Sequence, residues 1–231
     1  LAFQVGNIAN MPYIDYSNKT DISLLAKQNI SISKQDWDAH ETSWDFERNP
    51  LYEQFLECME DDLQNVIPSG TSLEELSKFA VAEAMHPLTT CMHNYKDKWE
   101  VNFMRLHKNE EELNRQFIDI YGLQDELTPD VPLNEITILQ QGEISIENDR
   151  IKWHDDVVMK QFISYAVGCM MGRYSIDKPG LILANQGDGV NEYNEKVPNS
   201  RFEVDDDAII PLMASDTEFA DNATKRFKQW L

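Results

Sequence analysis

From Leu88 to Tyr121 the chain has neither glycine nor proline, and apolar residues recur at Leu88, Met92, Tyr95, Trp99, Phe103, Leu106, Leu113, Phe117 and Ile120. Steps of three and four place them on one face of a helix. Pro87 stands where a first helical residue tolerates a missing N–H, and Gly122 where a helix ends in a left-handed residue. A helix over 87–121 is roughly 50 Å long at about 1.5 Å per residue, more than the width of a small domain. The pattern therefore predicts a spine for its surroundings.

Before the spine, Leu1 to Ile14 alternates loosely around Gly6 and Pro12 and reads as the last strand and turn of a preceding sheet. Ile22, Leu25 and Ala26 predict a short helix from Thr20 to Asn29, and Ser33 with Asp36 predicts the start of a second. Trp37, Trp44 and Phe46 are interleaved with acidic residues, so they read as helix-packing anchors rather than a base-stacking platform. Asn49-Pro50-Leu51-Tyr52 is one residue away from the Asn-Pro-Pro-Tyr loop of amino-methyltransferases. That loop follows a buried strand, whereas here Leu51, Phe55, Met59, Leu63 and Ile67 continue at helical spacing, so Asn49 reads as an N-cap and Pro50 as the first helical residue. Thr71 and Glu74 form a capping box for a further helix with Leu73, Leu76, Phe79 and Ala80 inward.

After the spine, Leu127 to Pro132 is a stiff extended linker. A hairpin is predicted over about 136–153, pairing Ile136–Ile138 with Ile144–Ile146 and continuing through Ile151 and Trp153. Asp155 to Met171 predicts a helix with Val158, Phe162, Ala166 and Met170 on one face and Val157, Ile163 and Val167 beside them, a stripe wide enough to be covered on both sides. Gly172 ends it, and Gly168 permits close backbone approach. Leu181 to Gly189 imitates a strand and glycine loop but is followed by a polar run, Val190 to Ser200, that predicts a surface loop. Asp205 to Asp207 is an exposed turn before a strand over 208–212, and Ser215 with Glu218 caps a last helix over about 216–230 carrying Phe219, Phe227 and Trp230. The fold class is α+β, mainly α: one long spine helix plus small strands. The expected parts are 1–16, the end of a sheet domain; 17–127, a helical spacer; and 128–231, a mixed lobe. They form either one domain around the spine or two lobes hinged near Thr128 to Pro132.

Composition narrows the functional classes. At 231 residues and 42% hydrophobic the chain can bury a real core, but 20 basic against 41 acidic residues give −21 at neutral pH. Such a charge opposes non-specific attraction to nucleic acid or an anionic membrane. Three separated cysteines, Cys58, Cys91 and Cys169, write no disulfide framework, and no apolar run spans a bilayer, which together predict a reducing, cytoplasmic setting. An opening on Leu1 rather than Met predicts a piece of a longer polypeptide. His86, Cys91 and His93 have too few ligands at too short a spacing for a structural zinc site. Pro129-Asp130 lacks the acidic-x-Lys partner of a nuclease, and Arg173 with Tyr174 offers an anion or base contact or a complement to the helix dipole. No nucleophile, base and orienting group assemble from spacing, so no catalytic, cofactor-binding or metal residue is assigned.

Three blocks carry a resemblance: Ile30 to Phe46, Glu110 to Pro129, and Ile163 to Asp177. Phe3 to Pro12 and Ile209 to Leu212 add to it. Together they resemble the PglX family, large adenine-specific DNA methyltransferases of BREX phage-defence systems related to type II restriction enzyme methylase subunits. The resemblance implies a parent enzyme that moves a methyl group from S-adenosylmethionine to N6 of adenine in DNA, extruding the base into an Asn-Pro-Pro-Tyr-type loop. That loop and the cofactor-binding elements lie upstream of these blocks in the family, which implies a non-catalytic spacer or target-recognition-associated region here. It implies no bound cofactor in this region, DNA as partner through the parent, other defence proteins as further partners and no membrane. The alternative is an acidic helical scaffold, or a DNA mimic, that docks other defence components.

Overall fold

The computed structural model describes residues 13–17, 19–66, 85–213 and 221–231. The helix predicted from Thr71 and the strand predicted at the N-terminus fall outside these residues. Among the described residues there are six α-helices: α1 (Lys19–Asp38), α2 (Pro50–Val66), α3 (Met85–Tyr121), α4 (Asp155–Met170), α5 (Val190–Lys196) and α6 (Ala223–Trp230). One antiparallel hairpin joins them, β1 (Ile144–Glu147) and β2 (Arg150–Trp153). The class is mainly α with a small β element, as the pattern of the chain predicts.

α3 is the spine. Met92, Tyr95, Trp99, Phe103 and Leu106 are buried along one stripe, and Gly122 closes the helix with φ +66. At about 1.5 Å per residue its 37 residues reach roughly 55 Å. Beyond Leu106 the buried face changes character: Asn109 is buried and donates to Asn29 at 2.9 Å, which ties α3 to α1, and Phe117 is largely exposed against Tyr16. The linker after α3 runs back along it. His107 Nε2 donates to the Val131 carbonyl at 2.7 Å, and Asn114 to that of Pro129 at 3.3 Å.

α1 is one helix of 20 residues rather than two. No glycine or proline interrupts it, and the Asp36 carboxylate, expected in a cap at Ser33, instead accepts the Leu139 N–H at 2.9 Å. α2 begins as its sequence predicts. Asn49 Oδ1 accepts the Leu51 and Tyr52 N–H groups at 3.0 and 3.3 Å, which satisfies two of the donors left open at a helix start.

The hairpin is shorter than the predicted 136–153. Its strands pair Ile144 with Trp153 and Ile146 with Ile151 around a two-residue turn, Asn148-Asp149, with φ of 51° and 57°. Ile136 and Ile138 are buried anchors, not a strand: the Ile136 N–H closes a 3₁₀ turn on Leu133 and the Leu139 N–H goes to Asp36, so donors at both ends of the segment are drawn away from a ladder. Trp153 Nε1 donates to Glu100 at 2.6 Å and pins the hairpin to α3.

α4 buries Val158, Phe162, Tyr165, Ala166, Cys169 and Met170, but Ile163 and Val167 are 46% and 41% exposed, so the wide stripe is covered on one side only. Tyr165 is the centre of an aromatic cluster that contacts Phe46, Tyr52, Tyr174 and Trp230. The last described helix starts at Ala223, capped by Asn222 Oδ1 on the Thr224 N–H at 3.0 Å; the start expected at 216 and its Ser215 cap lie outside the described residues. No strand forms over 208–212, because the Ile209 N–H is taken by the Asp205 and Asp207 carboxylates. A single core cluster contains residues from both sides of the Thr128–Pro132 linker.

Candidate functional site

The residues singled out for chemistry are dispersed. Among the described residues, no group of three or more histidine, cysteine or acidic side chains could hold a metal ion. Cys91 is buried within α3 while His93 is exposed and pairs with Asp97 at 3.3 Å. Asp130 is exposed on the linker. Burial pushes the Cys169 thiol up to about 12, so it carries no thiolate at neutral pH. Asn49 is turned to its own helix start, and its neighbours Leu51 and Tyr52 are buried in the core.

The glycine-loop look-alike resolves differently from its prediction. Leu181–Leu183 is irregular, held to the end of α4 by Ile182 N–H on the Arg173 carbonyl at 2.9 Å. A helix, α5, does open after Gly189, where a surface loop is expected. Tyr193 supplies the reason: it is 2% exposed and packs with Ile182, Val197 and Val204, so a polar run folds around one buried ring. Arg173 lies over the Tyr174 ring at 5.4 Å, and Tyr174 packs on Gly168, where a Cβ would come within 2.6 Å of the ring.

Two features escape sequence reasoning. The first is a buried polar knot. Glu143 is fully buried, and its Oε1 accepts from His40 Nε2 at 2.6 Å and from Gln161 at 2.6 Å, while Oε2 accepts the Gln141 N–H at 2.8 Å. His40 Nδ1 faces the Asp36 carbonyl at 2.7 Å; a carbonyl only accepts, so this nitrogen carries a proton. Nε2 faces the Glu143 carboxyl, and the opposed shifts of the two groups favour an imidazolium–carboxylate pair. Burial works against both charges, but the Glu143 hydrogen bond and charge hold His40 above its ordinary value, and the bonds from His40 and Gln161 hold Glu143 below its own. The knot joins the end of α1 to the hairpin and α4, and both His40 and Glu143 are buried.

The second is a groove of about 930 Å³, floored by Tyr95 and Trp99 of α3 and walled by α1, the start of α2 and the loop at Gly180. Lys34, Arg48 and Lys98 face Asp38, Asp45, Glu47 and Glu53 around it. The aromatic prediction divides here: Phe46 is buried as an anchor, but Trp37 and Trp44 are 58% and 98% exposed and anchor nothing. Their acidic neighbours account for this, since packing either indole inward would bury the flanking carboxylates.

No family model matches the chain. Among curated proteins, it is 31% identical over 231 residues to "Adenine-specific methyltransferase PglX" of Lacticaseibacillus casei (strain Zhang), covering 99% of this chain and 16% of that protein. It is likewise 31% identical over 235 residues to "Adenine-specific methyltransferase BrxX" of Escherichia coli O9:H4 (strain HS), covering 100% of this chain and 17% of that protein. The expected resemblance thus extends from one end of the chain to the other. The chain is similar, over its whole length, to a stretch that makes up 16–17% of the length of each of these two adenine-specific methyltransferases.

Proposed function

We propose that the chain is a region of an adenine-specific DNA methyltransferase of a phage-defence system, acting as a spacer or target-recognition-associated module beside the catalytic core. The observation that carries this reading is the end-to-end match to PglX and BrxX at 31% identity. In the parent, S-adenosylmethionine supplies the methyl group, N6 of adenine receives it, and the cytoplasm is the setting. The α3 helix supports the spacer role: at roughly 55 Å, braced by α1 and by its own return linker, it is stiff enough to fix a distance. The capping role of Asn49 supports a catalytic loop elsewhere, since its side-chain oxygen is already engaged by two N–H groups.

Expression of the parent protein with its accompanying defence genes, followed by sequencing of host DNA for methyladenine, tests the reading. Methylation at one recurrent sequence is expected, and host DNA left unmodified while the defence is active would overturn it.

The −21 charge favours a second reading, an acidic scaffold or DNA mimic that docks other defence proteins. A gel shift of the chain with duplex DNA at increasing salt separates the two. Direct DNA contact predicts binding that weakens with salt; a scaffold predicts none at any salt.

A further inference from the structure

Trp44, on the loop between α1 and α2, is 98% exposed. It stands between two hollows: the groove over α3, and a smaller one of about 180 Å³ that includes Glu41, Arg173 and Tyr174. Trp44, Phe46 and Leu181 line both, so the two form one continuous face. Exposed indoles with rigid apolar area and a polar edge are the side chains on which docking energy concentrates.

The same face holds polar atoms without partners. Trp99, 4% exposed on the groove floor, has an Nε1–H with no acceptor, and Arg48 Nε has none either. In the smaller hollow Glu41 Oε1 is buried with no donor. Folded chains satisfy nearly all such groups, so two idle donors and one idle acceptor around one exposed indole point to a missing occupant. A peptide main chain offers both kinds of group in alternation, carbonyls for Trp99 and Arg48 and N–H for Glu41.

Charge selects among peptides. Lys34 is held by Asp38 and Asp45 at 2.5 and 2.7 Å, so it attracts no incoming anion, while Glu47 and Glu53 remain on the rim with Arg48 and Lys98. With −21 on the whole chain, the far field repels a polyanion and draws a cation. A guanidinium stacks on the π-face of an exposed indole such as Trp44 while the field of the whole chain draws it in. We propose that this face docks an extended, arginine-bearing segment of a partner polypeptide, its main chain along the groove and a guanidinium stacked on Trp44. The proposal goes beyond the methyltransferase reading and does not depend on it.

The test is fluorescence anisotropy of a labelled arginine–proline peptide titrated with the chain. A glutamate–proline peptide and oligothymidylate serve as comparators, and circular dichroism confirms the fold of each variant. Trp44→Ala is expected to weaken the arginine peptide about tenfold or more, as removal of a central indole does. Glu47→Gln is expected to weaken it less, and Trp37→Ala, which removes an exposed indole outside the groove lining, not at all. Equal affinity for wild type and Trp44→Ala would overturn the proposal. So would a Trp44 effect confined to oligothymidylate, which would make the face a single-strand platform instead.

Discussion

At the scale of single residues, the His40–Glu143 pair dominates. Both side chains are buried, so removing one partner leaves the other charged in a poor solvent, which typically costs about 3–5 kcal/mol. Glu143→Ala should lose about that much in urea unfolding at pH 6. The pH dependence has a definite sign. His40 is raised from 6.5, so its contribution is complete below 6.5 and is lost as pH climbs through the higher folded value. Glu143 is lowered from 4.5, so its contribution is complete above 4.5 and is lost as pH falls through the lower folded value. Wild type should therefore exceed His40→Ala and Glu143→Ala most clearly between 4.5 and 6.5. Asp36 works in the opposite sense: burial pushes it upward despite the Leu139 N–H and the nearby His40, so the folded state takes up its proton first and this offsets part of the loss as pH falls. A gap between wild type and both variants that stays constant from pH 4 to 9 would mean the pair is neutral. Gly168 offers an independent case. A methyl group there would meet the Tyr174 ring at 2.6 and 2.9 Å, so Gly168→Ala should cost about 1–3 kcal/mol through overpacking, although alanine favours a helix by its own propensity. Gly168→Ala with Tyr174→Leu should recover part of that loss; a double variant no better than the single would sink the steric account.

At the scale of elements, α3 and the start of α2 follow from local rules, and each rule has its variant. Asn49→Ala removes a cap bonded to two N–H groups and should cost about 1 kcal/mol in thermal or urea unfolding. Leu106→Pro, in the middle of the buried stripe, should unfold the chain, since it removes a ladder bond and a fully buried side chain together; an unchanged melting temperature would show that α3 braces nothing. These elements were legible because their signals lie within a few residues of one another: a three–four apolar step, a cap, a closing glycine. The elements that were misplaced depend on partners far along the chain. The hairpin moved because the Leu139 N–H goes to Asp36, 103 residues away. Glu143 reads as a turn residue beside Gly142, and only His40, again 103 residues distant, makes it the centre of a buried knot. α5 is not legible locally because one ring, Tyr193, orders a polar stretch against residues on both sides of it. The candidate groove was less legible still. Its floor shows in the sequence as spine residues, but the exposure of Trp44 follows from what α1, α2 and the Gly180 loop leave uncovered.

At the scale of the whole molecule, the charge decides how stability responds to salt. Even if every one of the 20 basic residues were paired, 41 acidic residues would leave 21 carboxylates unmatched. Several of the described ion pairs are local and exposed, such as Lys34–Asp38, Lys160–Asp156 and Lys152–Glu147, and pairs of this kind contribute about 0–1 kcal/mol each. Repulsion among the excess carboxylates acts over longer distances, and it is greater in the compact state than in the expanded chain. Raising ionic strength from about 0.01 M to about 0.1 M shortens the screening length from about 30 Å to about 10 Å, which removes the long-range repulsion first and leaves contact pairs less affected. The melting temperature should therefore rise with sodium chloride over this range, and it should do so equally in Glu143→Ala, because a buried pair is poorly screened. A melting temperature that falls with salt would mean that ion pairing outweighs repulsion despite the imbalance. A rise confined to wild type would place the salt effect at the His40–Glu143 knot rather than in the field of the whole chain.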